Sequence, residues 1–486
     1  MLAKFLHQAR TREKNNLPPS PPTLPIIGNL HLLKEPFHQK FFDLSQKYGP
    51  IFSLRLGSRL AIVITSPSLA EECFTKDNDI ILANRPYFWV GKYVGYDYTS
   101  IGTAPYGDHW RNLRRICKLQ MLSKYRLNLS SSVRGDEVKI LLQKLFHASS
   151  HDTFVKVELK PMISKLVFNI TMRMIAGKRY TCGEASQILE ATKLHKLIQE
   201  LLQLGISPNI GDFFPSLQWG HFHGYKRKLV KIAREMDVIL QGIVDEHRKN
   251  KDEENTLISH LLSLQESEPQ YYTDEIIKGL LQDIVVGSAN GPVTTLEWSI
   301  SYLLNNLNSM EKIIAQIDFH VGHNKLLEEA DLPKLHYLQN IIIETLRLNP
   351  AVPLLVPHVS SDDCKIGGYD IPKDSILLVN VWAIQRDSKF WDEATNFKPE
   401  RFGNGKMDCN KLLPFGVGRR SCPGMDLSHR AIGLALGSLI QCFEWKRIGG
   451  KEIDMKEYGR GTLNLAKAEP LQAMCKARSM AKKLLY

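Results

Sequence analysis

The stretch LPFGVGRRSCPGMDL, residues 413–427, holds the side chains best suited to chemistry. Cys422 follows Arg419 and Arg420, precedes Pro423 and Gly424, and leads into an apolar helical pattern from Leu427 to Phe443. A cysteine in a glycine-rich turn at a helix N-terminus meets backbone N–H groups and the positive end of the helix dipole. Both favour the thiolate, the form that binds metals. Gly416, Gly418 and Gly424 carry no Cβ, so something flat and bulky could lie against this turn. For a lone cysteine the ordinary reading is a buried structural thiol. Three other groups of residues bear on that choice. Glu344 and Arg347 in ETLR are three apart on one helical face, which alone is usually a surface ion pair of small worth. Trp110 and Arg114 in WRNLRR are four apart on a helix, and His358 lies in LVPHVS. Singly, Trp110 and His358 read as core packing.

The cysteine stretch matches Phe-x-x-Gly-x-Arg-x-Cys-x-Gly at Phe415, Gly418, Arg420, Cys422 and Gly424. The pattern resembles the haem-binding signature of the cytochrome P450 family, the haem-thiolate monooxygenases. The resemblance runs from the proline-rich start to LAKAEPLQAMCKAR at 465–478. It implies a cytochrome P450 fold, with a long helix over the haem and the cysteine-ligand loop beneath it. It implies haem b, iron protoporphyrin IX, with Cys422 as the axial thiolate that pushes electron density onto iron and favours O–O cleavage. Phe415, Arg420 and Gly424 belong to the cofactor turn, and Trp110, Arg114 and His358 are further propionate partners on this reading. Glu344 and Arg347, with Arg401 from PERF (399–402), resemble the family's Glu–Arg–Arg network behind the haem, a structural role.

LPIIGNLHLL, LLVPH, GRRSCPG and GSLIQCFEW resemble the plant microsomal type, in particular the subfamily with isoflavone hydroxylases and methylenedioxy-bridge-forming lignan enzymes. That implies oxidation of an apolar plant specialised metabolite such as a flavonoid, lignan or terpenoid. O₂ and electrons from NADPH-cytochrome P450 reductase would be consumed at the cytosolic face of the endoplasmic reticulum membrane. By the same resemblance, substrate contacts come from 88–107, 198–216, 284–292 and 351–356; the side near Arg419 and Lys446 is the expected place for reductase docking. Two other classes stand beside this one. A haem-thiolate isomerase or dehydratase needs neither O₂ nor reductase but tends to alter the cysteine loop, which is intact here. A haem protein of little activity would only bind.

VVGSANGPVTTLEW, 285–298, departs from the family. Its flanks form one apolar helical pattern, yet Asn290, Gly291 and Pro292 are strong turn signals. The resemblance implies one helix crossing the haem, bent sharply at Pro292 and not ended. Aligned on TLEW (295–298), Asn290 falls on the family's acid and Gly291 on its threonine, the pair that passes protons during oxygen activation. Asn290 does not ionise and Gly291 has no hydroxyl. Ser288 or Thr294 could replace them through a water, or the space at Gly291 could admit a water or a substrate hydroxyl.

The elements that must position these groups are mainly helical. PIFSLRLGSRLAIVITS (50–66) alternates apolar residues about Gly57–Ser58 and reads as a β-hairpin. From about Asp108 the pattern turns helical, as in 136–148 and 227–249, until short strands return near Lys365–Ile371 and Ser375–Val379. The fold class is mainly α with a small β portion near the N-terminus. Three regions follow in order: a basic segment 1–16, a proline-rich hinge 17–28, and one catalytic domain 29–486.

At 486 residues, with 43% apolar and 23% charged content, the chain can bury a large core. The formal charge of +12 suggests nucleic acid first. The basic residues are dispersed and no nucleic-acid motif occurs, so a membrane surface or an acidic protein partner fits better. The 8 cysteines show no zinc spacing and read as reduced thiols. The N-terminal segment has Lys4, Arg10, Arg12 and Lys14 against Glu13 and nothing near the roughly 20 apolar residues of a spanning helix. Microsomal members normally begin with such an anchor, and on this reading the chain lacks one. The N-terminal charge and the apolar loop 206–222 then suggest a face resting on anionic lipid.

Overall fold

The computed structural model describes residues 16–149, 153–179, 185–204, 209–214, 223–250, 256–403, 411–458 and 464–486. The basic segment 1–15 lies outside them, as does most of the loop 206–222.

The strands in chain order are β1 (Ile51–Leu56), β2 (Arg59–Ile64), β3 (Val155–Glu158), β4 (His358–Val359), β5 (Cys364–Ile366), β6 (Tyr369–Ile371), β7 (Ile376–Val379), β8 (Phe443–Lys446) and β9 (Gln472–Ala477). The expected hairpin forms, with Leu54 opposite Ala61 and Gly57 at φ +61 in the turn. It is not a separate N-terminal unit, however. β7 pairs parallel to β2, Ala61 opposite Ile376, and β4 closes the order β1-β2-β7-β4. A further sheet, β3-β9-β8, stands where the sequence pattern suggested only helix and loop. Its short strands escape notice because β8 follows a helix without a break and buries only Phe443 and Trp445.

The proline-rich segment lies along β1. Ser53 N–H donates to Pro19 O (2.8 Å), the Ser53 hydroxyl to Pro18 O (2.9 Å), and Asn29 Nδ2 to Pro22 O (3.0 Å). Proline cannot donate, so its carbonyls are what it offers a neighbouring strand.

The helices that frame the site are α1 (Asp108–Gln120), α2 (Ser131–Ala148), α3 (Leu159–Ala176), α4 (Asp274–Ser288), α5 (Gly291–Asn305), α6 (His336–Leu348) and α7 (Met425–Cys442). The Thr273 side chain caps α4 by accepting from Ile276 N–H (3.4 Å), and Asp274 and Glu275 add favourable charge to its first turn. α3 ends at Gly177 in the left-handed conformation, φ +70.

The apolar pattern expected to run through 285–298 is divided between two cores. Leu296, Ile300 and Leu303 of α5 pack with Leu142 and Leu145 of α2 and with Leu436 and Leu439 of α7. Ile277, Leu280 and Leu281 of α4 pack instead with Leu229 and Leu240 of the helix His223–Lys249. Among the described residues no helix is long and apolar enough to cross a membrane.

Candidate active site

The cysteine turn is built by backbone geometry. Gly416 and Gly418 sit at φ +68 and +75, where a side chain is strained. At Gly418 a Cβ would also come within 2.4 Å of Asp79 Oδ1. Cys422 N–H donates to Phe415 O (2.8 Å) and closes the loop. Gly424 does not share the constraint expected of it. Its φ is −89, and it serves as the residue before α7, with its N–H directed at the Cys422 sulfur. Phe415 is half-buried, its ring 5.2 Å from that of His429. Cys422 keeps open surface, unlike the buried Cys117 and Cys442. Burial of its surroundings pushes the thiol up from its usual value, against the Gly424 N–H and Arg114, which pull it down. The local donors alone therefore do not hold a thiolate, and a coordinated cation would complete its deprotonation.

Beside this turn stands a cluster of cations. The Arg420 guanidinium lies 4.4 Å over the Trp110 ring, and Arg114 lies 5.8 Å from the same ring. Arg114 Nη2 donates to Ser421 O (2.6 Å), which ties α1 to the cysteine turn. Trp110 Nε1 and Arg420 Nη1 both donate to Ile101 O, at 3.1 and 3.2 Å. His358 is buried, its Nδ1 2.7 Å from Leu82 O. Burial, with Arg85 and Arg420 nearby, holds its pKa well below the usual range, so this histidine is neutral.

Arg85 was not apparent from the sequence. Nothing in ANRP (83–86) distinguishes it from a surface arginine, yet it donates to Val356 O (2.8 Å) and Pro357 O (2.9 Å), and its buried Nε has no partner. Burial lowers its pKa to about 9, and burial with the charges of Arg85 and Arg114 lowers that of Arg420 to about 9. Among the described residues none of Arg85, Arg114 and Arg420 forms an ion pair with a carboxylate. Collecting half-buried guanidiniums without an anion is costly. An open cysteine sulfur facing that cluster fits a group that brings a metal and two carboxylates, as iron protoporphyrin IX does.

Behind the turn, Glu344 and Arg347 are both 0% exposed, so the pair is not the surface contact its spacing alone would suggest. Arg347 makes two contacts to the carboxylate, at 2.7 and 2.9 Å, and its Nη1 donates to Gln385 O and Ala394 O. Arg401 Nε joins Glu344 Oε1 at 3.0 Å. The three residues form one network that anchors the segment 385–401 to α6.

Over the opposite side, α4 stops at Ser288 and α5 restarts at Gly291, where a single bent helix was expected. Ala289 (φ −64, ψ −34) and Asn290 (φ −118, ψ −31) keep helical dihedrals, so the chain runs on while its hydrogen-bond ladder is cut. The cause is local: Pro292 has no N–H to offer the turn before it. Added Cβ atoms at Gly287 and Gly291 would meet nothing within 4 Å, so both face open space. Asn290 caps nothing with its side chain. Ser288 is turned away: its hydroxyl donates to Val285 O (3.0 Å) and accepts from Thr171 (2.9 Å). It does not replace the missing alcohol. Thr294 is buried, one turn along α5.

The family model for cytochrome P450 matches residues 18–473. The chain belongs to the cytochrome P450 family. It is 54% identical to cytochrome P450 81Q32 of Catharanthus roseus, over 98% of this chain and 94% of that protein. It is 49% identical to an isoflavone 3'-hydroxylase of Medicago truncatula (98% and 96% covered). It is also 49% identical to the (+)-piperitol/(+)-sesamin synthase of Sesamum radiatum (98% and 94%). As a P450 it is an oxidoreductase, an O₂-dependent monooxygenase with haem b as cofactor, served by a redox partner.

Proposed function

We propose that this P450 hydroxylates, or closes an oxidative ring or bridge on, an apolar plant specialised metabolite of the flavonoid or lignan kind. Cys422 would supply the thiolate ligand to the haem iron, Arg85, Arg114, Arg420 and Trp110 would hold its carboxylates, and His358 would pack behind them as a neutral group. Bound haem supplies the activation of O₂. The cation cluster facing the open sulfur is the observation that carries the site assignment. Near-half identity along the full length of an isoflavone hydroxylase and a sesamin synthase supports the substrate class. The stretch AVPLLVP (351–357) passes beside the cysteine turn. Leu355 is buried, 3.8 Å from where a Cβ of Gly416 would stand. Apolar walls with few polar groups suit such a ligand.

Reconstituted with NADPH and the plant reductase under ¹⁸O₂, the protein is expected to convert a member of an isoflavone and furofuran lignan panel. Hydroxylated products should carry the label, and ring-closed products should have lost two hydrogens. Product formation without NADPH would overturn the reading in favour of isomerase chemistry.

NADPH-cytochrome P450 reductase is the proposed electron donor, at the endoplasmic reticulum surface. Arg419 is ion-paired to Asp79 (3.3 Å), whereas Lys446 is exposed on β8 over the Phe154 ring, which leaves Lys446 the freer charge for an acidic partner. Leu24, Ile26 and Ile27 stand out from the proline-rich segment at 46%, 69% and 38% exposure, and in the sequence they follow a basic stretch. Apolar side chains flanked by positive charge suit a lipid interface. Binding to anionic vesicles is therefore expected at low salt and should weaken as salt screens the charge. Equal pelleting at all ionic strengths would argue against it.

A further inference from the structure

Asn290 and Gly291 leave oxygen activation without its usual acid and alcohol, and another acid stands on the same ridge of the helix. Residues 279, 283 and 287 are four apart along one ridge of α4, and Gly291 continues that spacing across the cut into α5. At Gly279 a Cβ would meet the Tyr96 ring at 3.3 Å and Ser100 at 3.7 Å. One turn on, Asp283 Oδ2 accepts the Gly102 N–H at 2.6 Å, and the Ser100 hydroxyl also donates to its carboxylate. Past Asp283 the ridge is bare at Gly287 and Gly291. The loop 96–104 thus covers the first half of the ridge and leaves the second half open.

Asp283 is also one peptide unit from the cation cluster. The Gly102 N–H it binds belongs to the peptide whose carbonyl, Ile101 O, accepts Trp110 Nε1 and Arg420 Nη1. It lies deep in the molecule yet keeps open surface. Eight residues of helix put it about 12 Å from Gly291, a span that a short file of waters bridges along a ridge with no side chains.

We propose that Asp283 is the proton-relay acid of this enzyme, feeding the oxygen-activating site through water along Gly287 and Gly291. The inference rests on the monooxygenase reading above. Each turnover takes one O₂, two electrons from NADPH through the redox partner, and two protons. In a hydroxylation one oxygen enters the product and the other leaves as water; in a ring closure, which takes two hydrogens from the substrate, both oxygens leave as water. Asp283 gives a proton to the water file and regains one from solvent, so it ends each cycle as it began.

Burial raises its carboxyl to about 6, against the pull of Gly102 and Ser100. Near neutrality it can both release and take up a proton. The groups around it leave that titration to Asp283. The Tyr96 phenol is pushed up by burial and its hydrogen bond to Asp237, with Asp283 the smallest contributor, and Cys117 of α1 is raised to about 12 by burial and Asp283 against Arg114. Asp237, on the helix His223–Lys249, is engaged by Lys278 (2.6 Å) and Tyr96 (2.8 Å).

Asp283→Asn keeps an acceptor for Gly102 and removes the proton. In the reductase-reconstituted enzyme it is expected to lower product formed per NADPH by about 10²-fold, the scale of general acid assistance. Peroxide should rise and substrate affinity by spectral titration should stay unchanged. The limb near pH 6 in the wild-type rate profile should vanish. A carboxyl infrared band that titrates near pH 6 in the substrate-free protein should be lost in Asp283→Asn. Gly287→Leu fills the ridge while leaving the Asp283 carboxyl in place, so it should uncouple turnover while keeping that band. Normal coupling in Asp283→Asn overturns the relay, as does loss of substrate affinity with coupling intact, which would make Asp283 a substrate anchor. A wild type with no NADPH-dependent turnover would sink the underlying function, and the relay with it.

Discussion

Replacing Cys422 by alanine is expected to abolish thiolate-ligated haem and all O₂-dependent turnover while leaving the helices in place. The reduced CO complex of the wild type should show the red-shifted Soret band of thiolate ligation, and Cys422→Ala should lack it. The effect is large because Cys422 is the one exposed cysteine among the described residues. Cys117 and Cys442 are buried in apolar clusters, with thiols pushed up to about 12. Folding should survive because Cys422 is exposed, and its loop is held by the Cys422 N–H bond to Phe415 O and by Arg114 on Ser421 O, neither of which needs the sulfur. A wild-type CO complex with an imidazole-type spectrum would refute the assignment.

The second large effect is one of stability. Glu344→Leu strands the Arg347 guanidinium, fully buried, with carbonyl oxygens but no anion, and also releases Arg401. Removing one partner of a buried pair costs about 3–5 kcal/mol. Replacing both by apolar residues of similar size is often close to neutral. Denaturant unfolding should therefore show Glu344→Leu far less stable than wild type, and the double variant Glu344→Leu/Arg347→Met substantially recovered. If the double variant is as damaged as the single one, the hydrogen bonds of Arg347 to Gln385 and Ala394 matter more than the charge pair.

The two missing groups at 290 and 291 have different consequences once the fold is known. The sequence suggested Ser288 as one replacement, and the structure assigns its hydroxyl to Val285 and Thr171. The space at Gly291 remains open, so a water or substrate hydroxyl fits there alongside the relay proposed from Asp283. The isomerase alternative rested on the loss of the same pair and has no support in the cysteine turn, which keeps every feature of the signature.

Features set by contiguous residues were legible in the chain. The cysteine turn is one, because two glycines at positive φ, a cysteine and the start of α7 all lie within a dozen residues. The β1–β2 hairpin and the mainly helical texture are others, since their periodicity needs no distant partner. The proline at 292 marked a disturbance in the helix correctly, but not its form. The proline removes one N–H from the ladder, and the two halves on either side of the cut pack against separate cores.

What required the folded chain depends on residues far apart in sequence. The spacing of Glu344 and Arg347 allowed either a solvated pair or a buried one, and only the closure of 385–401 over α6 removed them from water. β7 joins β2 across some 300 residues, a pairing that no local pattern encodes. Arg85 looks like any arginine until the fold sets it beside Arg420, where among the described residues no carboxylate pairs with it. Asp283 is a polar interruption in an apolar helix until the loop at 100–102 wraps its carboxylate. A side chain's type is written in the chain, but its charge state follows from which dielectric and which neighbours the fold places around it.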